Sequence, residues 1–296
     1  MSSGLISVVI PFFSKVSGRL KQSVMSALQQ QGVNVEVIVV DDCSPLSAAS
    51  ELEGLQDPRL RVIRHSKNSN GGIARNTGVD NANGKFIAFL DYDDVWYQDK
   101  LVKQLALHLK SLNQYAHPVI YSKCRIVEGE HSFIRPRRAI CSNESVGDYL
   151  FIHKEIIQTS GIFLSRETAS LVKFDDLKRH QDYQYCLALE SVGAEFVLLE
   201  DIAYDFVQVP KLNDYTFSLY WLKQYRGFLS DRAINSFKVL VILRSMVANR
   251  HFAKAFKFTL ENRIYRDFFK ICLINFIKAA FPSGLVLLIK NRKDGK

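Results

Sequence analysis

Short apolar runs alternate with helical patterns through the first 200 residues of the chain. The strand-like runs cover residues 5–13, 35–40, 60–63, 85–90, 119–122, 160–164 and 196–199, and the helical patterns cover 20–31, 73–82, 101–112 and 177–191. Each strand-like run is too apolar to have a wet face, which is typical of strands buried in a mostly parallel sheet with helices on both sides. The pattern therefore predicts an α/β fold, with residues 123–150 as an irregular connection.

From about residue 215 the pattern is helical only, so we predict an α/β domain over residues 1–215 and a helical tail over 216–296. The tail is also basic. Residues 220–296 carry 16 Lys and Arg against 4 Asp and Glu, a net charge of +12, whereas the rest of the chain has a net charge of −3. A basic tail can meet nucleic acid, anionic lipid or a phosphorylated substrate. No RNA- or DNA-binding motif is present, so no nucleic-acid partner is expected.

The apolar clusters of the tail, between Phe252 and Lys290, are interrupted by charges and by Pro282-Ser283-Gly284. A membrane-spanning helix needs about 20 mostly apolar residues, and this stretch is too broken to supply them. It is typical of basic amphipathic helices that lie on an anionic membrane surface. The alternative is that these helices pack on the first domain or on a second subunit of a homo-oligomer.

Composition places the chain among ordinary globular proteins, with 47% apolar and 23% charged residues. Its cysteines are odd in number and form no Cys-x-x-Cys pair, which favours a reducing compartment over a disulfide scaffold or a zinc knuckle. No basic-plus-apolar leader precedes the first strand, and we expect a cytoplasmic location. Neither His-Glu-x-x-His nor the phosphate-binding Gly-x-x-x-x-Gly-Lys-Ser/Thr occurs in the sequence.

The clearest chemical feature is an acidic cluster, Asp91-Tyr92-Asp93-Asp94, directly after the apolar run that ends at Leu90. Carboxylates this close repel one another and lose hydration if they are buried. A divalent cation relieves both costs, so Asp-x-Asp at a strand end predicts a metal site that faces an anionic ligand. A solvated acidic turn is the alternative.

A dinucleotide-binding unit shares part of this pattern, because it also places an acidic residue after its second strand. That unit needs Gly-x-Gly-x-x-Gly in its first turn, where this chain has Pro11-Phe12-Phe13-Ser14-Lys15. The sequence therefore argues against a nicotinamide cofactor.

A haloacid-dehalogenase-like phosphatase is a second alternative. It would use Asp91 as nucleophile and Asp93 two residues on, with Glu200-Asp201 as a distal acidic pair. That motif normally opens its domain, whereas here a complete strand–helix–strand unit precedes it. A non-catalytic module that binds a nucleotide-sugar or a carbohydrate is the third alternative.

Four motifs in order resemble glycosyltransferase family 2, whose members use nucleotide-sugars and invert the transferred sugar. The motifs are Ile6–Pro11, Val37–Ser44, Gly71–Gly78 and Asp91–Trp96, and His180–Tyr183 lies at the place of the family's later acidic motif. The resemblance implies a GT-A fold with a helical basic extension after it, and a Mn²⁺ or Mg²⁺ cofactor. The chain is similar in particular to bacterial polysaccharide and O-antigen glycosyltransferases.

Carried over by position, the resemblance implies a nucleotide-sugar donor, of the UDP-hexose kind, bound by seven residues: Pro11, Asp41, Asp42, Arg75, Asn76, Asp91 and Asp94. Asp42 would accept a hydrogen bond from the uracil ring, with Asp41 in support. Arg75 and Asn76 would line the diphosphate, and Asp91 would lie near the ribose and the sugar. A solvated strand end or a helix cap is the plainer interpretation of the Asp41-Asp42 pair.

The same resemblance assigns Asp93 to the metal, Asp94 to a contact with the donor sugar, and Asp182 to catalysis. Asp182 would be the base that takes the proton of the acceptor hydroxyl. Relatives often have Glu-Asp where this chain has Gln181-Asp182, which keeps the base and leaves any role of the preceding acid open. A charge at a helix start, favoured by the helix dipole, is the plainer interpretation of Asp182.

The resemblance and the basic tail together predict a lipid-linked saccharide acceptor, carried on polyprenyl diphosphate. A single in-line displacement at the anomeric carbon would turn an α-linked donor into a β-glycoside. The expected location is peripheral, at the inner face of the cytoplasmic membrane.

Overall fold

The computed structural model describes residues 4–129, 131–207 and 214–280. The chain divides into two compact units, Met1–Val209 and Pro210–Lys296. The last predicted apolar cluster of the tail, residues 285–289, lies outside the described residues.

One sheet of nine strands forms the centre of the first unit. The strands are β1 (Ile6–Phe12), β2 (Val35–Asp41), β3 (Leu60–Arg64), β4 (Phe86–Phe89), β5 (Val95–Trp96), β6 (Pro118–Glu128), β7 (His131–Arg135), β8 (Phe163–Ser165) and β9 (Glu195–Val207). Their order is β3-β2-β1-β4-β8-β6-β9-β5, with β7 paired to β6. Strands β1 to β4, β6 and β9 run in one direction, and β5, β7 and β8 run against them. The predicted mostly parallel sheet is therefore confirmed.

Among the described residues of the first unit, seven α-helices accompany this sheet. They are α1 (Leu20–Leu28), α2 (Ala48–Glu51), α3 (Asn70–Asp80), α4 (Lys100–Ser111), α5 (Val146–Phe151), α6 (Arg166–Leu171) and α7 (Gln181–Ser191). Helix α1 buries Leu20, Val24 and Ala27, the positions that the helical spacing predicts. Every residue of β1 and β2 is buried, as expected for strands covered on both faces.

Helix α3 lies unusually close to β1 because Gly78 has no side chain. A Cβ atom at this position would lie 2.2 Å from Cγ1 of Val9. No side chain larger than hydrogen fits there without moving the helix, so Gly78 fixes how deeply α3 sits on the sheet. The depth of α3 in turn sets the position of Arg75, one turn earlier on the same helix.

The prediction that residues 123–150 are irregular is wrong. Strand β6 continues to Glu128 and pairs antiparallel with β7, and α5 comes after β7. The alternation was present in the sequence: Cys124 and Ile126 are buried, whereas Arg125 is exposed. Strand β9 is also longer than predicted, and the short strand β5 was not predicted, because both form pairs that local periodicity does not show.

The regular secondary structure in the described part of the second unit is all helical, with short turns between the helices. Its helices are α8 (Tyr215–Tyr225), α9 (Asp231–Phe237), α10 (Arg244–Ala248), α11 (Phe252–Asn262) and α12 (Tyr265–Ala280). A π-helical segment, Lys238–Leu243, joins α9 directly to α10. None of the helices in the described ranges has the length and hydropathy that crossing a bilayer requires.

Candidate active site

The site begins at the edge of the sheet where three parallel strands end side by side. Strand β1 lies between β2 and β4, so the segments that follow β2 and β4 flank the end of β1. Asp42 comes directly after β2, and Asp91 follows β4 by two residues. Pro11 is buried within β1 opposite Val40. Ligands of open parallel sheets bind outside this edge. The strand order brings the ends of β1, β2 and β4 together there, as the sequence predicts.

Asp41 is a structural residue of this edge. Its Oδ1 accepts a hydrogen bond from the backbone N–H of Ser44 at 2.8 Å, and its Oδ2 accepts one from Ala48 at 2.8 Å. Arg64 also pairs with Oδ2. The carboxylate thereby holds the loop after β2 and begins the short helix α2, so its support of Asp42 acts through the loop.

Asp42 is held by a chain of hydrogen bonds that sequence reasoning did not predict. Its carboxylate, 2% exposed, accepts from the backbone N–H of Ser69 at 2.8 Å and contacts Nδ1 of His65 at 2.8 Å. The other ring nitrogen, Nε2, lies 2.9 Å from Oγ1 of Thr77. Because a carboxylate only accepts, the neutral ring carries its proton on Nδ1, and Nε2 accepts from the threonine hydroxyl. The predicted contact with uracil stays a prediction.

Arg75 joins three parts of the site. One guanidinium nitrogen pairs with the carboxylate of Asp91, and the other donates to Oε1 of Gln181 at 2.8 Å. Thr159 lies 3.3 Å from the first of these nitrogens and 3.2 Å from Asp91. The Arg75 side chain is 7% exposed, and its Cζ atom lies 5.4 Å from the centroid of the Phe174 ring. The guanidinium therefore fixes the strand end that carries Asp91 against the start of α7.

Asn76 ties α3 to the segment before α7. Its amide nitrogen donates to the backbone carbonyl of Phe174 at 2.8 Å, and its amide oxygen accepts from the backbone N–H of the same residue at 2.9 Å. Both ends of the amide are thus used within the protein. The predicted contact with the diphosphate stays a prediction, and the observed role is to hold the Phe174 segment.

Ser160 organises the acidic cluster from behind. Its hydroxyl accepts a hydrogen bond from the backbone N–H of Asp91 at 3.0 Å and donates to the carboxylate of Asp94. Its backbone carbonyl accepts from the indole N–H of Trp96 at 2.9 Å, which makes Trp96 a core residue. Burial, together with the nearby Asp91 carboxylate, raises the pKa of Asp94 well above its usual value. Asp94 thus has an internal role, and its predicted contact with the donor sugar stays a prediction.

Asp93 and Asp91 are the carboxylates of the cluster that reach solvent. The Asp93 side chain is 29% exposed and that of Asp91 is 34% exposed. Arg19 lies 3.7 Å from Asp93. The described residues contain no group of three or more His, Cys, Asp or Glu side chains arranged to hold a metal ion. A metal at Asp93 would therefore need further oxygen ligands, such as those of a substrate or of water, beyond the described side chains.

Asp182 lies in the first turn of α7, which begins at Gln181, four residues later than the predicted helix over 177–191. Its side chain is half-buried beside the Arg75 contact with Gln181. Burial raises the pKa of Asp182 to about 6, with Arg75 lowering it and Asp91 raising it further. His180 precedes it with a left-handed backbone (φ 61°) and stacks on Tyr183 at 5.3 Å between ring centroids. Burial lowers the pKa of His180 to about 4, so this ring is neutral at pH 7.

The acidic pair of the phosphatase alternative is engaged elsewhere. Glu200 pairs with Lys123, and Asp201 pairs with Lys103 at 2.6 Å. Both acids lie on β9 and hold it to neighbouring elements. The site residues that the sequence analysis missed are His65, Thr159 and Ser160.

The fold and this edge of the sheet define a GT-A glycosyltransferase domain. A crystal structure of S. aureus TarS in complex with UDP has the same fold, with a TM-score of 0.57 and 19% identity over 98% of this chain and 87% of that chain. The family model for Glycosyl transferase family 2 matches residues 7–169. The chain belongs to this family.

Relatives in bacterial polysaccharide synthesis support the assignment. The amylovoran biosynthesis glycosyltransferase AmsB of Erwinia amylovora is 30% identical over 89% of this chain and 94% of its own length. An Escherichia coli relative, WfgD, is 26% identical over 62% of this chain and 86% of its own length. WfgD is named a UDP-Glc:α-D-GlcNAc-diphosphoundecaprenol β-1,3-glucosyltransferase.

Proposed function

We propose that this protein transfers one hexose from a UDP-sugar to a saccharide acceptor and inverts the anomeric centre. The observation that carries the proposal is the Arg75 guanidinium, which joins Asp91 at the strand end to the helix start that bears Asp182. Two carboxylates with different tasks are thereby held at one site. The UDP-bound TarS structure and the name of WfgD support UDP as the nucleotide.

Asp182 is our candidate for the catalytic base. A base works best when its pKa lies near the operating pH, and burial places the pKa of Asp182 at about 6. The ionised carboxylate would take the proton of the acceptor hydroxyl as that oxygen attacks the anomeric carbon. No covalent intermediate is required, so an α-linked donor would give a β-linked product.

Asp93 is our candidate for the metal ligand. Its carboxylate is a hard oxygen ligand that reaches solvent, which suits Mn²⁺ or Mg²⁺. Asp91, held by Arg75, would lie near the ribose and the sugar of the donor. A bound divalent ion would neutralise the charge that develops on the leaving diphosphate. The ligand set of the protein alone is incomplete in the described part of the chain, which fits a metal that binds together with the nucleotide.

The remaining predicted donor contacts are proposed with the roles that the geometry allows. Pro11 ends the buried part of β1 beneath the nucleotide, and Asp42 offers its carboxylate to the uracil ring while His65 and Ser69 hold it in place. Arg75 and Asn76 position the site from within the protein.

The proposed acceptor is a saccharide on polyprenyl diphosphate, at the inner face of the cytoplasmic membrane. The name of WfgD contains such an acceptor. The described tail also offers a surface for an anionic membrane. We call it the apolar tail face and define it by the exposed side chains Phe252, Phe256, Leu260, Phe269, Leu273 and Phe276.

The apolar tail face combines the two properties that bind anionic membranes. Its members recur at helical spacing on α11 and α12, and Phe269 and Phe276 are 65% and 68% exposed. Exposed cations accompany them: Lys254, Lys257, Arg263, Arg266 and Lys270. Apolar insertion and attraction to anionic lipid together hold such helices in the interface. A contact with a second copy of the chain is the competing use of this face.

The test is a donor screen with a synthetic diphosphate-lipid acceptor, with Mn²⁺ and with excess chelator. We expect one UDP-hexose to release UDP only when the acceptor is present, to require the metal, and to give a β-linked product by its anomeric NMR coupling. Orthophosphate release from a simple phosphate ester would instead indicate a phosphatase. Binding of nucleotide-sugars without turnover of any acceptor tested would indicate a non-catalytic module.

A further inference from the structure

Helix α4 carries three polar side chains on its buried face. Lys100, Gln104 and His108 recur every four residues and are 1%, 0% and 1% exposed. The buried face of an amphipathic helix is normally apolar, because burying a polar group costs free energy unless that group is hydrogen-bonded. Lys100 is the most costly of the three to bury, since its amine is charged in water.

Lys100 is a buried amine with two partners, and neither of them is a carboxylate. Its Nζ donates to Oε1 of Gln104 at 2.6 Å and lies 3.8 Å from the ring centroid of Trp96. Among the described residues, no acid lies within ion-pair distance of this nitrogen. Burial lowers the pKa of Lys100 well below its usual value, because the protein interior solvates a charge poorly. We call Lys100, Trp96 and Gln104 the Lys100 cluster.

Both partners of Lys100 hold the backbone of one short turn, Thr159–Gly161. The indole N–H of Trp96 donates to the carbonyl of Ser160 at 2.9 Å, and the amide nitrogen of Gln104 donates to the next carbonyl along at 2.8 Å. An amide oxygen accepts and does not donate, so the hydrogen bond from Lys100 directs the NH₂ end of the Gln104 amide towards the turn. Lys100 therefore orients the two groups that bind consecutive carbonyls of this turn.

The turn held by the Lys100 cluster contacts the acidic cluster on both sides of Asp93. The hydroxyls of Thr159 and Ser160 contact the carboxylate and the backbone N–H of Asp91, and Ser160 also donates to the carboxylate of Asp94. Any movement of the turn therefore moves the groups that hold the acids in place. The turn is the link between the buried amine and the solvent-facing carboxylates.

We propose that Lys100 is a positioning residue that holds Asp91 and Asp93 where the nucleotide and the metal bind. It acts through the Thr159–Gly161 turn and touches neither ligand. A methionine would fill a similar volume without the cost of burying an amine, so packing alone does not account for a lysine here. The identity of the two ligands rests on the proposed function.

The first experiment does not depend on the proposed function. The chain has two tryptophans, Trp96 and Trp221, whose indole N–H signals report separately on the Lys100 cluster and on the second unit. Hydrogen exchange of both signals is followed by NMR in the wild type and in Lys100→Met, with Trp221→Phe to assign them. The Trp96 signal should exchange at least about tenfold faster in Lys100→Met, because its ring loses the amine packed over it, and the Trp221 signal should not change. Unchanged exchange at Trp96 would overturn the proposal.

The matched control is His108→Leu, which also replaces a buried polar side chain of α4 by an apolar one. The His108 ring packs against Phe86, with 5.3 Å between centroids, at the opposite end of β4 from the acidic cluster. Its Trp96 exchange should equal that of the wild type. Equal acceleration in both variants would indicate a general loosening of the core and overturn the proposal. If thermal unfolding shows that Lys100→Met does not fold, Gln104→Met removes the other end of the hydrogen bond and faces the same comparison.

The second experiment measures the binding of UDP together with Mn²⁺ by calorimetry, without turnover. Lys100→Met should bind roughly tenfold more weakly, the effect typical of changes to the outer-shell partners of metal ligands, and His108→Leu should bind like the wild type. Equal affinity of Lys100→Met and the wild type would overturn the proposal. If the wild type binds neither ligand while Trp96 exchange responds as expected, the proposed function fails, and the role of Lys100 in holding the acidic cluster stands.

A double-variant cycle tests the route from Lys100 to the acids. Ser160→Ala removes the hydroxyl that contacts Asp91 and Asp94 but keeps the carbonyl that Trp96 binds. If Lys100 acts through this turn, Lys100→Met should weaken UDP binding by a smaller factor in the Ser160→Ala background than in the wild type. The same factor in both backgrounds would show that the two residues act independently and would overturn the proposal.

Discussion

The two units of this protein differ in whether their charged side chains form ion pairs with one another. Along the sheet edge of the first unit, the charges are paired with one another: Arg64 with Asp41, Arg75 with Asp91, and several more pairs around them. In the described part of the second unit, the one ion pair is Lys257–Glu261, at 3.9 Å and on the surface. The first unit uses charge to hold its own groups in place, whereas the described part of the second unit leaves most of its cations exposed and without a carboxylate partner.

This difference indicates which kind of measurement reports on each unit. Changes in the first unit should appear in turnover, because its polar contacts fix the groups that act on substrate. Changes in the second should appear in partition to membranes.

The largest effect should follow Asp182→Asn, which removes the proton acceptor but keeps the size of the side chain. Turnover should fall at least about 100-fold, the range typical of a lost general base, and the donor KM should change little. Steady-state kinetics with a soluble acceptor measures both. Asp201→Asn is the matched control, because Asp201 only pairs with Lys103 on the surface. Normal turnover in the Asp182 variant would falsify its assignment as the base.

A smaller effect, confined to the second unit, should follow Phe256→Ser/Phe269→Ser. Both rings are exposed in the apolar tail face, and their loss removes apolar area that would enter the membrane. Sedimentation with phosphatidylglycerol vesicles should weaken by roughly tenfold or more, and turnover on a soluble acceptor should not change. Phe133→Ser, an exposed ring of the first unit, should leave sedimentation unchanged. Lost turnover with unchanged sedimentation would contradict the assignment of turnover to the first unit and membrane binding to the second.

A shift in pH dependence should follow Gln181→Glu. Asp182 must be ionised to act, so activity should fall as the pH drops below its pKa of about 6. A second carboxylate next to Asp182 disfavours ionisation and raises that pKa. The acid limb of the kcat/KM profile should therefore move to higher pH, by about half a unit to one unit. Gln114→Glu adds the same charge on the turn after α4 and should not move the profile. A shift to lower pH would contradict the placement of Asp182 beside the Arg75–Gln181 contact.

The smallest effect should follow Glu261→Gln, which removes the ion pair with Lys257. Exposed pairs at i,i+4 contribute only about 0.3–0.5 kcal/mol to the free energy of unfolding. Urea unfolding should therefore detect almost no change, while vesicle binding should strengthen slightly, because one negative charge leaves a basic surface. A destabilisation above about 1 kcal/mol would show that charges of the second unit are structural after all.

Much of the sheet edge could be predicted from the sequence, because its strands are continuous apolar runs. The run before Asp91 and the pair at Asp41-Asp42 indicated both position and chemistry. The direction of the antiparallel strands could not be predicted in this way, although the predicted run 160–164 overlaps β8. Strand β8 is three residues long, and its direction depends on pairing with β4 and β6, which no local pattern shows.

The residues that support the acids were also invisible in the sequence. Ser160 and Thr159 contact Asp91 across 69 and 68 positions, and both belong to the short polar run Gln158-Thr159-Ser160 before a short strand. His65 reaches Asp42 across 23 positions. Hydroxyls and imidazoles have many uses in proteins, so the role of these residues follows only from the fold that brings them beside a carboxylate.

The missing side chain at Gly78 has a consequence for anyone who diversifies this enzyme. A mutant library aimed at a new donor or acceptor would vary the loops around the acids. The same library should leave this position alone, because any larger residue presses on Val9 and lifts the helix that carries the arginine. Such a variant would retain every acid of the site but lose their alignment. Its inactivity would then be attributed to the designed loop substitutions, although the displaced helix causes it.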